Sequence, residues 1–167
     1  MELPKRKPVR LSEYDYSQNG AYFLTLCSMN KARIFGRFVG DGVLDVPNVE
    51  LTQFGKIVEQ TLNEMMAHYT HISVEKYVIM PNHLHILMLV HSGSEAFGTS
   101  RTPSPTNSHV ASFVSTLKRF SNRKSGQQLF QRSYFDHVIR NDNDYLAHWK
   151  YIDENPVRWL DDELFVN

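Results

Sequence analysis

HISVEKYVIMPNHLHILMLV, residues 71–90, decides how this chain folds. Two runs rich in β-branched and apolar residues, 71–80 and 83–90, flank Pro81-Asn82, so the stretch reads as two adjacent strands joined by a tight turn. The second run opens on two histidines, His83 and His85, with Leu84 between them. Successive strand side chains point to opposite faces, so the two imidazoles share one face while Leu84 and Ile86 take the other. That geometry suits a divalent metal ion. A His-x-His pair is common without one, so the rest of the chain has to say what it means.

Working outward from the hairpin, the elements fall into a regular order. Upstream, AYFLTLCS (21–28) reads as a strand set off by Asn19-Gly20, and the glycine-punctuated 33–48 is compatible with a short hairpin. LTQFGKIVEQTLNEMMAHY (51–69) follows, with Thr52 as N-cap and Phe54, Ile57, Val58, Leu62, Met65 and Met66 at helical spacing. Downstream, 91–108 is dense in Ser, Thr, Gly and Pro and reads as a long flexible loop. A second helix, 109–126, carries Val110, Phe113, Val114, Leu117 and Phe120 on one stripe and ends at Gly126. Residues 129–140 predict a last strand, and 142–155 a third helix that stops near Asn155 because Pro156 follows. The sequence of strand, helix, strand, strand, helix, strand is the α+β, ferredoxin-like split βαβ plan: one antiparallel sheet with helices on one face, plus an appended C-terminal helix.

On that last helix, Tyr145, Trp149 and Ile152 form a stripe expected to pack on the sheet. His148, Tyr151 and Asn155 form the neighbouring stripe, so a phenol and an amide face the same way one turn apart. His148 is either a proton carrier or a bystander there.

The 167 residues, 41% hydrophobic, suffice for one domain with a sizeable core and not for two. No apolar stretch approaches a membrane span and the basic opening is not a secretory signal, so a soluble, cytoplasmic, nucleoid-associated protein without membrane partners is expected. Cys27 is the single cysteine, excludes an internal disulfide, and is expected as a buried core thiol. The formal net charge is zero, yet it is sorted by region: +3 over 1–10, +6 over 101–140 and −5 over 141–167. Such segregation builds a basic face on a neutral molecule, and phosphate contacts depend on that local face. Lys118, Arg119, Arg123 and Lys124, interleaved with Phe120, and Arg132 and Arg140 around the last strand are the candidate DNA contacts.

MPNHLHIL together with YIDENP resembles the two signatures of the single-tyrosine HUH transposases, the insertion-sequence-200-like family. Within it, YIDENPVRW, QRSYFDHVIRN and YDYSQNGAYFLTLCS most resemble the REP-associated tyrosine transposases, and the likeness runs from about Leu11 to Trp159. The resemblance implies one HUH domain over 1–167, with 1–10 a basic arm, 91–108 a flexible loop and 142–155 the tyrosine helix. It makes His83 and His85 metal ligands, Leu84 the intervening hydrophobe and Tyr151 the nucleophile, with Asn155 completing the metal site. The metal it implies is magnesium or manganese, whereas an imidazole pair by itself is equally at home with zinc.

A phenol with a pKa near 10 is a poor nucleophile at neutral pH, so attack needs help at the phosphate. The family's reaction is metal-dependent cleavage and rejoining of single-stranded DNA through a 5′-phosphotyrosine, which stores the bond energy for transposition and recombination without ATP. Single-stranded or hairpin DNA is the implied partner, and both monomers and homodimers sharing a site are compatible with the resemblance. Two other readings stand beside it: a hairpin-DNA-binding regulator that no longer cuts, and a zinc-dependent hydrolase, for which the sequence offers no third acidic or histidine ligand close by.

Overall fold

A computed structural model describes residues 18–39, 48–91, 108–159 and 164. The basic arm at 1–10 and most of the loop at 91–108 lie outside the described residues. Four strands, β1 (Gly20–Cys27), β4 (Ile72–Ile79), β5 (His83–Val90) and β6 (Phe135–Ile139), form one sheet in the order β4-β5-β1-β6 with every neighbouring pair antiparallel. This is the expected split βαβ arrangement. The β4–β5 hairpin turns at Pro81-Asn82, and β5 begins at His83 as the sequence predicts.

A separate two-stranded ribbon pairs β2 (Gly36–Val39) with β3 (Asn48–Leu51), so the short hairpin expected within 33–48 has its first strand there and its second strand beyond, reaching Leu51. The last strand is shorter than expected. Phe130 makes an isolated bridge to Ser28, and the Gln131 amide donates to the Cys27 carbonyl at 3.0 Å. Pairing with β1 resumes only at Phe135, so the expected strand over 129–140 is interrupted between those two contacts.

Three helices complete the fold: α1 (Gln53–His68), α2 (His109–Ser125) and α3 (Asp142–Glu154). Thr52 caps α1 by accepting from the Gly55 amide at 3.2 Å, and Ser108 caps α2 by accepting from Ala111 at 3.1 Å. Gly126 ends α2 with φ of 71°, a left-handed conformation that a side chain resists. The apolar stripes of α1 and α2 meet one face of the sheet: Val58, Leu62, Phe113 and Leu117 pack with Tyr22, Leu24, Leu26, Leu84, Ile86 and Met88, all fully buried. Each such side chain contributes roughly 1.5–3 kcal/mol by leaving water.

The even-numbered residues of β1 and β5 thus face α1 and α2, and the odd-numbered ones face the other way. There α3 lies across the sheet, with Ile152, Tyr145 and Trp149 packed against Phe23, Leu87, Val78 and Ile139. The stripe expected to pack on the sheet does so, on the face opposite the other two helices. Lys76 ties this helix down from β4, with its ammonium 2.7 Å from Asp153 and 4.3 Å from the centre of the Trp149 ring.

Candidate active site

His83 and His85 stand on the α3 face of the sheet, their ring centres 4.5 Å apart. Both are buried, which is costly for two charged rings and acceptable for neutral ones. Burial first, and the neighbouring imidazole of His83 second, hold His85 well below the usual histidine value. Neutral imidazole is the form that ligates metal ions.

Each ring is oriented through Nδ1. The amide of Asn82 donates from Nδ2 to the carbonyls of Leu164 at 2.8 Å and Lys31 at 3.3 Å, which fixes its oxygen on the other side. That oxygen lies 2.8 Å from His83 Nδ1, so Nδ1 carries the hydrogen and Nε2 the lone pair. On the neighbouring strand, Thr25 is the direct register partner of His85, and its hydroxyl is 2.9 Å from His85 Nδ1. His85 Nε2 is buried with no hydrogen-bond partner among the described residues. A buried imidazole nitrogen in that condition calls for a ligand, and held Nδ1 atoms with Nε2 left for coordination are the usual outer support of metal-binding histidines. The pair therefore fits a divalent ion.

α3 begins at Asn141, whose side chain accepts from the Asp144 amide at 2.9 Å, and its first turn carries Asp142 and Asp144, which complement the helix dipole. Its far end delivers the other two residues. Tyr151 is 37% exposed, with its ring edge-on to His85 at 5.2 Å and to Phe23 at 5.9 Å between centres. Asn155, one turn further, is buried at the C-cap. His85, Tyr151 and Asn155 line one open cleft of about 1030 Å³, together with Phe23, Thr25 and the segment Ser133–Phe135. Cys27 lines it as well and is half-buried, which corrects the expectation of a core thiol: its register position opposite His83 puts it on the site face.

The basic residues are not gathered together. α2 lies across the sheet from the histidines, so Arg119 and Arg123, both exposed, belong to the opposite layer. Lys124 pairs with Glu64 of α1 at 2.6 Å. Lys118 points back into the protein: its ammonium donates to the carbonyls of Gln131, Ser133 and Arg132 at 2.8, 3.1 and 3.3 Å, and burial brings its pKa down to about 8. It supports from behind a segment whose Gln131 and Ser133 line the cleft. Arg132 is exposed between those two residues, and Arg140 is exposed at the end of β6.

Sequence reasoning passed over Arg158, Tyr134 and Phe135 in the cleft wall, and a cluster of His137, Asp144 and His148 at its side. Asp144 and His148 at helical i, i+4 spacing were the available signal. His137 comes from another strand and had none.

The fold is that of a tyrosine transposase: over 89% of this chain and 74% of the other, it superposes with a TM-score of 0.61 and 20% identity on a REP-associated tyrosine transposase solved bound to a REP hairpin. In sequence, the chain is 29% identical over 175 residues to an uncharacterised protein of Haemophilus influenzae, covering 97% of this chain and 94% of that one. It is 23% identical over 149 residues to a second protein of that organism, named as a REP-associated tyrosine transposase, covering 86% and 74%. No protein-family model matches the chain. The chain is thus a relative of the REP-associated tyrosine transposases.

Proposed function

We propose that this chain, as a single domain over 1–167, is a metal-dependent single-strand DNA transposase and endonuclease that recognises hairpin DNA and cuts it with Tyr151. The observation that carries the reading is the Tyr151 ring standing edge-on to His85 at the mouth of an open cleft, with Asn155 one turn along the same helix. A tyrosine with a purely structural task on this helix would share the buried stripe of Ile152, whereas this one is offered to solvent beside the buried imidazole of His85.

His83, His85 and Asn155 would hold the ion, and a magnesium or manganese ion there supplies charge neutralisation at a phosphate oxygen. The chain's own residues do the rest. Phe23 and His85 flank the Tyr151 ring from the sheet side and restrict its approach to one direction, which is the entropic part of positioning a nucleophile. The Tyr151 oxygen attacks the scissile phosphorus and loses its proton. The bond from phosphorus to the 3′ oxygen breaks, and that oxygen takes up a proton to leave a free 3′-hydroxyl and a 5′-phosphotyrosine. Attack by another 3′-hydroxyl reverses the step and joins strands.

The partner follows from the same surface. Arg158 lines the cleft, where it also pairs with Glu154, and Arg132 is exposed between the cleft-lining Gln131 and Ser133, so both are offered to phosphates, and the exposed Phe135 presents a ring on which an unpaired base can stack. The relative solved with a REP hairpin supports a hairpin as the DNA form. Among the described residues no helix is long and apolar enough to cross a membrane.

The test is incubation of the purified chain with end-labelled hairpin oligonucleotides carrying single-stranded flanks, with Mg²⁺ or Mn²⁺. The expected result is a labelled fragment that stays attached to protein under denaturing conditions and disappears with Tyr151→Phe. A hairpin that binds without any such adduct from the native chain leaves a non-cutting DNA-binding protein.

A further inference from the structure

His137 of β6 and Asp144 and His148 of α3 converge beside the cleft, apart from the pair at 83 and 85. His137 Nε2 is 3.0 Å from Asp144 Oδ2 and 3.1 Å from Oδ1, and His148 Nδ1 is 3.1 Å from Asp144 Oδ1 while donating to the Asp144 backbone carbonyl at 2.8 Å, which leaves His148 Nε2 as its nitrogen for coordination. Three ligand atoms, one from each residue, lie within 4.8 Å of one another. The two imidazoles stack with centres 4.7 Å apart and planes at 22°, so both rings turn an edge toward the same carboxylate.

We propose that His137, Asp144 and His148 form a second metal site that takes zinc or a similar first-row transition ion. The donor set of two nitrogens and one carboxylate oxygen matches that class, and disfavours magnesium and calcium, which gather oxygen ligands. The spacing is compatible: bonds of about 2.0–2.1 Å in a tetrahedral site put its ligands about 3.3 Å apart, and the three ligand atoms here lie within 4.8 Å of one another.

The carboxylate is held in place as metal-binding carboxylates usually are. The Arg140 amide donates to Asp144 Oδ2 at 3.1 Å, and the Asp144 amide is itself anchored on the Asn141 side chain. All three side chains are partly exposed, between 21% and 39%, so an ion can reach them and keep a position open to solvent. Such an ion would clamp the first half of α3 to the edge strand. His148 also packs at a tilt on Phe23, 4.6 Å between centres, the ring that flanks Tyr151, so the clamp acts on the helix that presents the phenol.

This inference stands independently of the DNA chemistry, and its test does not use DNA. The full chain with His83→Ala and His85→Ala, stripped of metal, is titrated with Co²⁺ as a spectroscopic probe and then with Zn²⁺. The expected result is one equivalent of Co²⁺ with visible bands of a low-coordinate nitrogen–oxygen site, displaced by Zn²⁺, and a Tm raised by about 5 °C at saturating zinc. Adding Asp144→Asn or His137→Gln is expected to weaken binding at least tenfold. Absence of Co²⁺ binding in the folded double variant overturns the proposal, as does binding that survives both added substitutions. Should the double variant fail to fold, the native chain is compared with His137→Gln and with Asp144→Asn. A fall of one bound equivalent in each supports the site whatever the other histidines hold, and an unchanged stoichiometry overturns it.

Discussion

The Tyr151 ring meets the His85 imidazole edge-on, at 5.2 Å between centres and 68° between planes, joining the last helix to a central strand of the sheet. Phe23 lies against both rings, at 5.0 Å from His85 and 5.9 Å from Tyr151, so the phenol is placed by packing on the sheet face.

Tyr151→Phe should leave this packing in place, because the phenyl ring keeps both contacts. Strand cleavage and the covalent adduct are expected to fall by roughly 10³-fold or more, with stability changed by less than about 1 kcal/mol and hairpin binding retained. A denaturing gel, a thermal melt and a binding titration check the three parts.

Asn82→Ala removes the amide that orients His83 without touching either imidazole. A buried N–H then loses its acceptor, which costs about 1–3 kcal/mol of stability. Loss of such outer support should weaken Mn²⁺ binding by about 10–100-fold. Mn²⁺ titration followed by electron paramagnetic resonance, beside a thermal melt, separates the two effects. A melt that falls while Mn²⁺ affinity holds would make Asn82 a structural residue alone.

Arg132 and Lys118 should behave differently although both are basic. Arg132→Ala is expected to weaken hairpin binding and flatten the dependence of log affinity on log salt by about one unit, as loss of one phosphate contact does. Lys118→Met leaves three carbonyls without their ammonium. It should lower stability by about 1–2 kcal/mol, allowing for partial exposure, with little direct change in the salt slope. Binding isotherms at several salt concentrations and chemical denaturation read the two outcomes.

Acid sensitivity has a local source away from the cleft. Burial first, and His109 at 4.6 Å between ring centres second, lower the pKa of His71 below the ordinary histidine value of 6.5. In the window between that lowered value and 6.5, the unfolded chain binds more protons than the folded one, so stability rises with pH there and declines as pH falls through it. His71→Asn is expected to flatten that part of the stability profile. Urea denaturation at a series of pH values measures it.

Much of the architecture was legible because it rests on short-range periodicity. Alternation of two set β5 and put both histidines on one face, and the 3.6-residue stripe with Thr52 at its head set α1. Gly126 and Pro156 marked where α2 and α3 end. The residues after Leu129 were less legible: Phe130, Tyr134 and Phe135 favour a strand on either side of Gln131-Arg132-Ser133, but the backbone there bridges to Ser28 and turns its carbonyls toward Lys118, a partner on another element. The same contact removed Lys118 from the expected basic surface. A charge count along the chain records how many cations there are and is blind to which of them are already occupied.

By itself the sequence determined the order of elements, the shared face of His83 and His85, and the common stripe of Tyr151 and Asn155, since each depends only on residues within a turn or two of one another. Tertiary structure alone decided that α3 lies on the histidine face, that Thr25 stands opposite His85, and that the Asn82 amide is locked between Lys31 and Leu164. It also decided that His137 meets Asp144 and His148. The reason is physical: these contacts join segments far apart in the chain, and they form only where strand pairing and the burial of apolar faces bring those segments together.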